Sequence, residues 1–94
     1  MNTIDTLRHA ATAYDRRRSK SKNYNIYALA QYLTRLDACA ECVAAGQSWR
    51  EALVQGFNDR LRDSLLNALG EAPTSITECE NANVRSIRAF ASAI

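Results

Sequence analysis

The chain is short of punctuation. Gly46, Gly56 and Gly70 are its only glycines and Pro73 its only proline, so there are few places where a regular element must stop. No run of about 18 apolar residues exists, which excludes a membrane-spanning helix and leaves no membrane partner to expect. The N-terminus lacks the basic-then-apolar order of a secretory signal, and a soluble cytoplasmic protein is therefore expected. Three cysteines, Cys39, Cys42 and Cys79, are too few and odd in number for a disulfide framework and point to reduced thiols. One histidine, with no P-loop, no GxSxG, no HExxH and no paired carboxylates, argues against an enzyme, and no cofactor is expected.

What is present fits a small globular unit. Hydrophobic residues make up 47% of 94 residues and charged residues 23%, which permits a core and excludes collagen-like, low-complexity and wholly disordered chains. One domain over 1–94 follows from length alone, with a core that buries only about 60–65% of the unfolded surface. Ten arginines against two lysines, together with 16 alanines, follow the bias of GC-rich bacterial genes, and a bacterial source is expected.

The apolar spacing predicts four helices and no strand. Ile4, Leu7, Ala11 and Tyr14 form a stripe on a first helix that starts after Thr3 as N-cap and runs to about Arg17. After a polar stretch from Arg18 to Asn25, steps of three and four through Ile26, Leu29, Leu33, Leu36, Ala40 and Val43 give the seam of a longer second helix. Gly46 closes it, and Ser48 with Glu51 makes a capping box that opens a third helix to Gly70, with Leu53, Phe57, Leu61 and Leu65 inward. So short a turn predicts an all-α domain built on a long antiparallel hairpin, residues 24–45 against 49–69. Ser75 with Glu78 repeats the capping box ahead of a fourth helix carrying Ile76, Cys79, Asn83, Ile87, Phe90 and Ile94.

Charge is unevenly placed. The net charge is only +2, yet residues 1–22 hold six of the twelve bases and two of the ten acids. Arg16, Arg17, Arg18, Lys20 and Lys22 crowd into seven residues flanked by Tyr14, Tyr24 and Tyr27. Such a segment can neutralise phosphates while Tyr24 or Tyr27 stacks on a base; equally, it can be a solvated loop with tyrosines at the edge of the core. Gly46, Ser48 and the helix after them have the outline of a helix-turn-helix. Gln47 in place of an apolar anchor, Gly56 in the would-be reading helix, helices near 20 residues and only Arg50 beside Glu51 at its start favour the hairpin instead.

Gly56 inside a helix costs about 1 kcal/mol against alanine. Ala52, Gly56 and Leu66 together suggest a notched outer face, either a surface for a partner or a second copy of the chain, or a face that the fourth helix covers. Cys39 and Cys42 form a CxxC well inside a helix, where the dipole opposes ionisation, so small buried apolar residues are expected rather than a metal or redox site. Asp5 and His9, four apart, can pair but have no nucleophile or pocket beside them. The expectation from sequence is a non-enzymatic cytosolic helical protein, a small regulator, inhibitor or adaptor, that binds a macromolecule: a protein partner, with a homodimer as a further expectation. Its alternative is nucleic acid held by residues 16–22.

Overall fold

The computed structural model describes residues 2–75 and 78, apart from the side chain at position 59. It is all-helical there, with α1 Thr3–Arg18, α2 Ala28–Ala44, α3 Trp49–Gly56 and α4 Asp59–Ala68. The expected fourth helix beyond Ser75, including Cys79, lies outside the described residues, although its capping box is formed. The Ser75 N–H donates to Glu78 Oε1 and the Glu78 N–H to Ser75 Oγ, both at 3.1 Å.

The helix ends follow local chemistry. Asn2, not Thr3, caps α1: its backbone is extended and its Oδ1 accepts the Asp5 N–H at 3.0 Å. α2 starts later than the apolar spacing suggests because Asn25 Oδ1 accepts the Tyr27 N–H at 2.9 Å, holding residues 25–28 in a turn. Ile26 therefore leaves the predicted seam and stands 70% exposed. Gly46 takes φ +115° just past α2, and the N–H groups of Gly46 and Gln47 reach back to the carbonyls of Val43 and Cys42. Gly70, at φ +76°, closes α4 in the same way, with Glu71 bonding Leu66 and Gly70 bonding Asn67.

The long hairpin is where structure and expectation part. The predicted third helix is two, because residues 57 and 58 are extended and α4 begins anew behind Asn58. Gly56 is a weak helix former and Asn58 occupies the position that asparagine favours before a helix, so the break lies at the cheapest place in the run. Phe57 uses the break to turn its ring inward and is 2% exposed. α3 then packs on α2, whereas α4 packs on α1 and α3. Among the described helices each touches two neighbours, α1–α2–α3–α4 and back to α1, with no contact across either diagonal.

Inside this ring lie Leu7 and Ala11 from α1, Leu36 and Cys39 from α2, Ala52 and Leu53 from α3, and Leu61, Leu65 and Leu66 from α4. Cys39 Sγ donates to the Ala52 carbonyl at 3.4 Å, joining α2 to α3. Arg50, at the start of α3, gathers the chain that follows α4. Its guanidinium donates to the carbonyls of Ala72 and Pro73 and, through Nε and Nη2 at 3.0 Å each, to both carboxylate oxygens of Glu78.

Candidate nucleic-acid interface

The last turn of α1 and the turn after it carry the basic segment. The Ser19 N–H closes α1 on the Asp15 carbonyl at 2.9 Å, and the Ser21 N–H bonds the Arg18 carbonyl at 2.9 Å, so Arg16 to Arg18 end the helix and residues 19–22 fold back as a compact turn. Arg16, Arg17, Arg18, Lys20 and Lys22 are all exposed. No carboxylate among the described residues pairs with any of them.

Two of these arginines are nevertheless ordered by aromatic rings. The guanidinium carbons of Arg17 and Arg18 each lie 5.8 Å from the centre of the Tyr14 ring. Arg18 also donates to the Tyr32 hydroxyl at 3.0 Å, and Tyr32 meets Tyr14 edge to face at 6.3 Å. This cluster forms one wall of an open cleft of about 440 Å³ between α1, α2 and the α3–α4 junction. Arg35 from α2 and Arg60 from α4 line the same cleft with Asn58, and Phe57 and Leu61 lie beneath them. Neither Arg35 nor Arg60 makes an ion pair with a described residue, and among the described lining residues there is no acid. Sequence reading missed both arginines, because each is a single charge far along the chain from the basic run.

The tyrosines divide. Tyr24 is half-buried and donates its hydroxyl to Asp15 Oδ2 at 2.6 Å, a bond that raises the Tyr24 pKa above its ordinary value. Its hydroxyl is thus tied to the fold. Asp15 is 7% exposed beneath it and its Oδ1 has no partner among the described residues. Together they border a smaller cavity of about 160 Å³ that shares Arg18 and Tyr32 with the cleft. Tyr27, by contrast, is 69% exposed beside Ile26 and keeps its ring in solvent.

The notched face is not on the surface. Ala52 is 1% exposed, Gly56 is buried and Leu66 is 0% exposed, because the break after Gly56 rotates α4 and sends both helices' apolar residues into the core. The expected partner or self-association surface at Ala52, Gly56 and Leu66 is therefore part of the interior. Asp5 pairs with Arg8 at 3.3 Å while His9 is exposed without a partner among the described residues. Cys39 is fully buried and its thiol is pushed up to about 12, first by loss of water and then by Cys42 nearby, so it stays protonated at neutral pH. Among the described residues, no group of three His, Cys, Asp or Glu side chains gathers at metal-holding distance, and no helix is long and apolar enough to cross a membrane. α3 is only eight residues long, so helix length no longer argues against a helix-turn-helix, but Arg50 at its start is engaged by Glu78 and is not free to read a base edge.

No protein-family model matches the chain, and no curated protein or solved structure matches it.

Proposed function

We propose that this chain is a non-enzymatic helical module of the bacterial cytoplasm that binds nucleic acid through the end of α1 and the turn after it. One observation carries the reading: Arg16 and Arg17 at the end of α1 and Lys20 and Lys22 in the turn after it are exposed, with no carboxylate partner among the described residues. A basic loop kept for solubility gains from nearby acids, whereas a phosphate-binding surface is weakened by them. The burial of Ala52, Gly56 and Leu66 supports looking for the binding surface at the basic turn instead.

A second reading rests on Ile26 and Tyr27, 70% and 69% exposed beside the same cations. An acidic protein segment with one apolar anchor would suit that pair. Fluorescence anisotropy with a labelled oligonucleotide separates the two. Nucleic-acid binding requires an affinity that falls steeply with salt, and replacing Arg16, Arg17 and Lys20 by alanine should flatten the slope by about 0.7–0.9 per lost phosphate contact. If the wild-type chain binds no oligonucleotide at low salt but does bind polyglutamate, the second reading replaces the first.

A further inference from the structure

The cleft beside the basic turn narrows the ligand further. Three guanidiniums, from Arg18, Arg35 and Arg60, line one concavity, yet they come from α1, α2 and α4 and lie 17 and 25 residues apart in sequence. Like charges so placed repel one another, and no carboxylate of the described residues forms an ion pair with any of the three. The arrangement is also prepared in advance. Arg18 is fixed by the Tyr32 hydroxyl and the Tyr14 face and uses one of its five N–H donors in doing so, which leaves the others for an anion.

We propose, resting on the nucleic-acid reading above, that the ligand is a single strand whose sugar–phosphate backbone passes from the basic turn into this cleft, where Arg35 and Arg60 join Arg18 around one phosphate. Two features select a single strand over a duplex. The cleft is a concavity between helices, which a flexible backbone can follow and a rigid double helix can touch only at its rim. Among the described residues, Tyr27 is the freely exposed ring next to the track, and it offers a stacking face that only an unpaired base can use. Arg50, at the head of α3, is bonded to Glu78 and is not free to read a major groove.

The test compares a labelled oligothymidine with a DNA hairpin of equal phosphate number, using wild type, Arg35→Gln with Arg60→Gln, and Arg16→Gln with Arg17→Gln. All four arginines are exposed and make no ion pair with a described residue, so the variants should melt as wild type does, and circular dichroism checks this. The single strand should bind wild type more tightly than the hairpin. The Arg35 and Arg60 pair should weaken single-strand binding about tenfold or more and flatten its salt slope by at most about 0.7, the share of one phosphate, while changing hairpin binding little. A double variant that binds the single strand as wild type does overturns the cleft assignment but leaves the broader reading standing, provided that the Arg16 and Arg17 pair is impaired. Equal affinity for hairpin and single strand overturns the strand preference. Wild type binding neither oligonucleotide overturns the nucleic-acid reading itself, and this proposal with it.

Discussion

Arg50 shows how much one side chain can organise. At the head of α3 it holds the backbone at residues 72 and 73 and both oxygens of Glu78, so it fastens the segment after α4 to the ring of helices. The guanidinium, followed by the Ser75 N–H, holds the Glu78 carboxyl down at about 2, below its ordinary 4.5. A carboxyl lowered on folding stabilises the folded state above its unfolded value, so this contribution is complete above about 4.5 and is lost as the pH falls towards 2. Melting curves between pH 2 and 7 should show that loss in wild type and a smaller acid dependence in Glu78→Gln; identical profiles would dismiss the clamp. Cys39 makes a second residue-scale case. With its thiol raised to about 12 and no exposure, it should resist iodoacetamide at pH 8 until the protein unfolds, while half-buried Cys42 reacts first. Mass spectrometry of the labelled peptides reads the order, and equal rates would contradict the packing.

Among the elements, α2 and the α3–α4 pair decide the core. Leu36 and Leu61 are 0% and 6% exposed, whereas Leu33 keeps part of its side chain in water. Leu36→Ala and Leu61→Ala should each cost about 2–5 kcal/mol in urea unfolding, and Leu33→Ala clearly less. Gly46→Ala meets no steric neighbour, yet φ +115° should make it lose about 1–2 kcal/mol through the backbone alone. A neutral result would mean that α2 can end without its left-handed residue. The helix stripes, Gly46, Gly70 and both serine caps were legible in the sequence because each is a local rule. The break at Phe57 was not, although Gly56 followed two residues later by Asn58 is a stop signal next to a start signal. A stripe of Leu53, Phe57, Leu61 and Leu65 at steps of four ran through it and carried the stronger pattern. Misreading that break as a notch also placed Ala52, Gly56 and Leu66 on the outside.

On the scale of the whole molecule, the basic surface is legible only in half. Arg16 to Lys22 stand together in the chain, but Arg35 and Arg60 reach the same cleft only because α4, freed at Phe57, packs on α1. No periodicity could have found that meeting, which depends on how the ring of helices closes. The ring has a further consequence, for the order of folding. α2, α3 and α4 follow one another through short connections, so their mutual contacts close small loops, whereas the α1–α4 contact must join segments about forty residues apart at a greater entropic cost. The closure of α1 should therefore come after the rate-limiting barrier. Leu7→Ala, in the fully buried heart of α1, should then hasten unfolding and leave the refolding rate nearly unchanged, while Leu53→Ala should slow refolding. The N-terminal helix, with the basic turn at its end, is the last strand of the knot to tighten and the first to slip, and an anion lodged between α1, α2 and α4 would hold it shut.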